Sequence, residues 1–127
     1  MEGLRRLTSQ APEAIVRAAF WLVLIAAVTW ALLPQPPSLP IDAFGDKWEH
    51  GLTFVTLAVL AALGYRDMPL PRIAERLSFL GALIEVFQSI PALHRDCDFR
   101  DWLADTIATV LTLVLLYWSG MIRREHA

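Results

Sequence analysis

The residues able to do chemistry are gathered in one stretch of this 127-residue chain, SFLGALIEVFQSIPALHRDCDFRDWLADTIATVLT, from Ser78 to Thr112. Glu85 and Gln88 sit in its first apolar run, and Asp101 and Asp105 open its second. Pro91, His94, Arg95, Asp96, Asp98 and Arg100 lie between them. Upstream stands Asp46-Lys47-x-x-His50. Glu85 and Asp105 are candidate proton carriers, because two close carboxylates cannot both ionise cheaply and one would serve as acid, the other as base. His50, with Asp46 four residues before it, fits a base with an orienting carboxylate. It fits a polar residue at an interface equally well. Lys47 and Arg95 suit a phosphate clamp, or they are counter-ions of the neighbouring acids. Gln88, Asp98 and Asp101 complete the set of candidate ligand contacts. The bland alternative for Glu85 and Gln88 is an interhelical polar network that fixes helix register.

Several chemistries have no signature here. His50, Glu85, Asp101 and Asp105 offer nitrogen and oxygen ligands of the kind that Mg, Mn or Zn accepts. No HExxH spacing accompanies them, and no cofactor is expected. Cys97 is the only cysteine, which excludes an intrachain disulfide and a multi-cysteine metal site. There is no nucleophilic-serine motif and no glycine-rich phosphate loop. Net charge is −2. With no basic run and no zinc-finger spacing, nucleic acid is not an expected partner.

The elements around these residues read as membrane helices. Hydrophobic residues make up 56% of the chain, and mean hydropathy is +0.47, above the usual composition of a soluble domain. Residues 14–33 are nearly uniformly apolar, and a run of that length covers about 30 Å, the thickness of a hydrocarbon core. No small-x-small cleavage site follows, so the run reads as a span rather than a signal peptide. A proline-rich loop, PQPPSLPIDAFG, follows at 34–45. Further helices are expected at about 48–65, 73–90 and 101–121, with polar tails at 1–13 and 122–127. The Gly51–Tyr65 run alone gives only about 22 Å, so the middle helices cross only with polar flanks buried between them.

Each of those helices has one small or polar face. His50, Phe54, Leu57, Ala61 and Gly64 share the first. Ser78, Gly81, Glu85 and Gln88 share the second, and Asp101, Asp105, Ala108 and Thr112 the third. Pro91 is expected to end the third helix, and Asp98 or Asp101 to cap the fourth. The fold class is therefore all-α, an integral membrane four-helix bundle. A soluble bundle would leave outer faces of Leu, Val, Ile and Phe in water. Eight of the eleven basic residues fall in the tails, around residues 66–76 and, as Arg17, at the inner edge of the first run, which places both termini in the cytoplasm by the positive-inside rule. Trp30, Trp48 and Trp102 at one end, with Trp21, Tyr65 and Trp118 at the other, fit aromatic belts. The charged loops then face outward.

Taken in order, these residues resemble the VanZ-like family of small bacterial membrane proteins. The resemblance covers about residues 46–115. It rests on Asp46-Lys47-x-x-His50 leading into a helix with Phe54, on Glu85-x-x-Gln88, on Pro91, Arg95 and Asp98, and on Asp101-x-x-x-Asp105. The chain departs from the family pattern at Asp105, where Asn is usual, and at Ala108, where Gly is. The resemblance implies a multi-pass protein of the bacterial inner membrane. One branch of the family is linked to resistance to the lipoglycopeptide teicoplanin. Three functions are compatible with the residues. The first is an accessory protein that binds a lipid-linked or lipophilic envelope ligand and alters envelope or antibiotic sensitivity. The second is a membrane enzyme acting on a lipid phosphate or lipid-linked cell-wall intermediate. The third is a proton-coupled carrier subunit, which would need to form a homo-oligomer.

Overall fold

A computed structural model describes the backbone of residues 2–33, 46–90 and 99–120, and the side chains of residues 12–33, 51–90 and 99–120. These residues form four helices: α1 (Glu2–Leu32), α2 (Asp46–Gly64), α3 (Leu70–Gln88) and α4 (Phe99–Ser119). Among the described residues there is no strand. The chain is all-α, as the sequence predicts.

The boundaries differ from the sequence reading where proline and cap chemistry decide them. α1 begins at Glu2, inside the segment read as a polar tail, and carries Pro12 within it. α3 begins at Leu70, three residues earlier than expected, with Pro69 at its N-cap and Pro71 in its first turn. Proline there removes only N–H groups that have no partner within a helix, so it starts the helix rather than breaking it. At the far end Ser89 is the C-cap, and its backbone N–H donates to the carbonyls of Glu85 and Val86. Ile90 precedes Pro91, a position biased away from helix. α4 begins at Phe99, so Asp101 lies within its first turn rather than at the cap. A carboxylate there still meets the positive end of the helix dipole.

The helices run alternately up and down. At the N-terminal end of the apolar segment Pro12–Leu32, midway along α1, Arg17 and Val16 pack against Gly64 at the end of α2. At the other end of α1, the Gln88 amide of α3 reaches the carbonyl of Ala31. α2 contacts each of the other three helices, most extensively α1 and α4, and α3 leans chiefly on α4. In cross-section the order around the bundle is α1, α2, α4, α3, a flattened rhombus with α1 and α4 at its far corners.

The core follows from that arrangement. α2 supplies Phe54, Leu57, Ala58, Ala61 and Ala62, all buried, and Phe20, Ile73, Leu77, Ile84 and Leu113 close around them. Small side chains on α2 let its neighbours approach closely. A Cβ on Gly64 would stand 3.2 Å from Arg17 Cγ and 3.3 Å from Val16 Cγ1. The face Phe54–Leu57–Ala61–Gly64 thus packs inward as its spacing predicts.

Two helical segments are long and apolar enough to cross a membrane: Pro12–Leu32 and Phe99–Ser119, with mean hydropathies of 2.1 and 1.4. Gly51–Gly64 is a shorter apolar segment. Only 11% and 17% of the two long windows are buried inside the bundle. Their apolar side chains, among them Leu22, Ile25, Leu111 and Leu115, therefore point outward.

Candidate functional site

The polar residues of the bundle interior come from the C-terminal half of α3 and the N-terminal half of α4. Glu85, Gln88, Asp105 and Thr109 are all buried, at 7%, 4%, 3% and 0% exposure. They fall on the inward faces because each helix repeats small or polar residues at three- and four-residue intervals. On α3 that stripe is Ser78, Gly81, Glu85 and Gln88, as the sequence indicates; Ser78 is half-buried and the other three buried. On α4 the buried stripe is Asp105, Thr109 and Leu113. Asp101, Ala108 and Thr112 are half-buried beside it.

Two hydrogen bonds fix how α3 and α4 are set against each other. Ser78 Oγ and Thr106 Oγ1 lie 2.9 Å apart. Trp102 Nε1 donates to the Ser78 carbonyl at 3.0 Å. A Cβ on Gly81 would meet ring atoms of Trp102 and of Phe54 at 3.4 Å. That is ordinary van der Waals distance, so the contact has room for a methyl group at residue 81 and not for a larger side chain. Trp102, half-buried, is held in the contact between α3 and α4.

This antiparallel register sets the depths of the carboxylates. Asp105 lies level with Ser78 and Phe79, and Asp101 level with Ala82 and Leu83. Glu85 is then about 9 Å of helix rise nearer the loop end than Asp105, and only about 4 Å beyond Asp101. By backbone depth Asp101 is nearer to Glu85 than Asp105 is, while the side chains of Glu85 and Asp105 each lean toward the N-terminus of their own helix and so toward each other. Oδ1 of Asp101 and Oδ1 of Asp105 are both shielded from solvent. Glu85, Asp101 and Asp105 each have interaction partners, so none is an isolated charge.

Gln88 has a defined structural task. Its Nε2 donates to the Ala31 carbonyl at 3.0 Å, across 57 residues of sequence. Ala31 lies in the last turn of α1, where carbonyls have no partner within the helix. Thr109 also has a local partner: its hydroxyl donates to the Asp105 carbonyl at 2.8 Å. Bonding back by four residues is how a threonine is accommodated inside a helix. Thr112 does the same to Ala108. Thr109 stands four residues after Asp105 on the same face, and that spacing is its one signal in the sequence.

Lys47, His50, Arg95 and Asp98 lie outside the residues whose side chains are described. The cluster in hand is therefore Glu85, Gln88, Asp101 and Asp105. Among the described residues no three of His, Cys, Asp and Glu are grouped so as to hold a metal ion.

The opposite end of the bundle is basic and aromatic. Arg17 Nε donates to the Gly64 carbonyl at 2.5 Å, and its guanidinium lies 4.7 Å from the centre of the Tyr65 ring. Trp21 Nε1 donates to Tyr65 Oη at 2.7 Å. Glu13 lies 3.8 Å from both Arg17 and Arg66. These contacts tie the end of α2 to the middle of α1. Comparison with protein-family models, with curated proteins and with solved structures finds no match to this chain.

Proposed function

We propose that the chain is a VanZ-like, multi-pass protein of a bacterial inner membrane. On this reading its polar cluster faces outward and binds a lipid-linked or lipophilic envelope ligand, and through it the cell's sensitivity to envelope-directed antibiotics changes. One observation carries the reading: a bundle whose outer surface is apolar buries Glu85, Gln88 and Asp105 toward one end. Ionisable groups at membrane depth are expensive, and their usual roles are ligand or ion contacts. The clustering of Arg17, Arg66, Arg72 and Arg76 at the opposite end supports cytoplasmic termini.

Binding asks less of the cluster than catalysis does. An acid–base pair must reach one substrate atom. A ligand head group can use polar groups at several depths.

The test is Glu85→Gln, which keeps the shape and removes the charge. The expected result is loss of any effect on susceptibility to a lipophilic envelope-targeting antibiotic, with membrane abundance near normal by blotting. Asp105→Asn, the residue usual in the family resembled, should be tolerated. If Glu85→Gln lowers abundance and function in parallel, the cluster is a packing network and the proposal fails.

A further inference from the structure

On the outer surface of α3, away from the polar cluster, Arg72, Glu75, Arg76 and Phe79 line a shallow groove of about 400 Å³. The four residues follow the i, i+3, i+4, i+7 spacing of one helix face. All four are exposed, and Phe79 is 64% exposed. From these residues we propose that the groove is a binding site for one anionic phospholipid of the cytoplasmic leaflet. This rests on the membrane placement proposed above.

Three observations point to that ligand. The first is unused positive charge. Arg17 and Arg66 are engaged with Glu13, and Arg17 also with Gly64 and Tyr65. The guanidiniums of Arg72 and Arg76 make no hydrogen bond or ion pair with any described residue. Two guanidiniums one helical turn apart suit the oxygens of a phosphodiester, which arginine binds through paired N–H groups. Glu75 is the one carboxylate lining the groove, and two arginines against it leave a net positive charge.

The second observation is what lies below the arginines. Phe79 is followed on the same side of α3 by Leu83 and Val86, which are 38% and 64% exposed. One face of one helix therefore carries a cationic end and then an apolar track. A phospholipid has that order, head group and then acyl chain, and a free phosphate does not. The third is position. The groove lies at the basic end of the bundle, where anionic lipids of the inner leaflet meet juxtamembrane Lys and Arg. Long arginine stems can lie along apolar surface while their heads reach the phosphate level.

The test uses the full chain in zwitterionic detergent, melted with added phosphatidylglycerol, phosphatidylcholine or inorganic phosphate. Phosphatidylglycerol should raise the melting midpoint of the wild type. The rise should also appear in Arg123→Gln/Arg124→Gln, which removes two charges from the C-terminal tail. It should be lost in Arg72→Gln/Arg76→Gln, with phosphatidylglycerol affinity falling on the order of tenfold or more. Arg76→Gln alone should lose part of the rise, which keeps the test decisive if the double variant does not fold. Phosphatidylcholine and inorganic phosphate should leave every midpoint unchanged. The proposal is overturned if wild type gains nothing from phosphatidylglycerol. It is also overturned if the Arg72 and Arg76 variants respond like wild type, or if inorganic phosphate reproduces the whole rise. Alkaline carbonate extraction separates this failure from that of the membrane placement. Release of the chain from membranes sinks the placement; retention without a phosphatidylglycerol response sinks the lipid site alone.

Discussion

Gln88 commits its amide nitrogen to the chain itself, while Glu85, one turn earlier on the same face, does not share that bond. The Ala31 contact is therefore a test of Gln88 alone. Gln88→Leu leaves the Ala31 carbonyl without its donor and should destabilise the protein by about 1–3 kcal/mol if the site excludes water, or nearer 0.6 kcal/mol if the unfolded helices find other partners. A melting curve in detergent reads this directly. An unchanged midpoint would mean that the bond contributes nothing. Glu85→Gln should shift the same curve little while removing function. The inward face of α3 was legible in the sequence because Gly81, Glu85 and Gln88 repeat at helical spacing. The partner of Gln88 was not, since it is a backbone carbonyl 57 residues away and no side chain advertises it. Thr109 is illegible for a related reason: its hydroxyl is satisfied within its own helix, so no partner residue points to it.

Among the elements, the contacts of α3 with α2 and α4 turn on a missing side chain. At Gly81 an added Cβ meets Phe54 and Trp102 at ordinary van der Waals distance, 3.4 Å. Gly81→Ala should therefore be accommodated. Gly81→Leu has no room and should cost about 1–3 kcal/mol, as overpacked cores do. Leu115 is 68% exposed, and Leu115→Met should change stability by less than about 0.5 kcal/mol. Equal melting midpoints for Gly81→Leu and Leu115→Met would refute this assignment of faces. α4 ends on a different kind of glycine. Gly120 has φ +75 with open space around its Cα, so Gly120→Val is strained by backbone alone, by roughly 1–2 kcal/mol. Helix existence and inward faces could be read from periodicity. The start of α3 could not, because Pro69 and Pro71 look like breakers until the chain is seen to use them as a cap and a first turn. The relative depth of Glu85 and Asp105 was also hidden. It is set by the Ser78–Thr106 and Trp102–Ser78 bonds between helices, not by counting from helix ends.

For the whole molecule, the proposed orientation is testable through Cys97, the single thiol, which falls in the segment between α3 and α4. A membrane-impermeant maleimide should label it from outside once the outer barrier of the cell is opened. Labelling only after the inner membrane is lysed would reverse the orientation and put the polar cluster in the cytoplasm. The arrangement of the four helices also bears on how the protein is made. Among the described residues, the two segments long and apolar enough to cross a membrane belong to α1 and α4. Between them lies α2, whose most extensive contacts are with those same two helices. A ribosome delivers α1, α2 and α3 before α4 exists. On the proposed placement, a nascent chain ending at residue 98 holds α2 with one of its two chief neighbours missing, and α3 without the helix that supplies Trp102 and Thr106. Such a chain should be cleared by membrane proteases, and the last twenty-nine residues should decide whether the first ninety-eight persist.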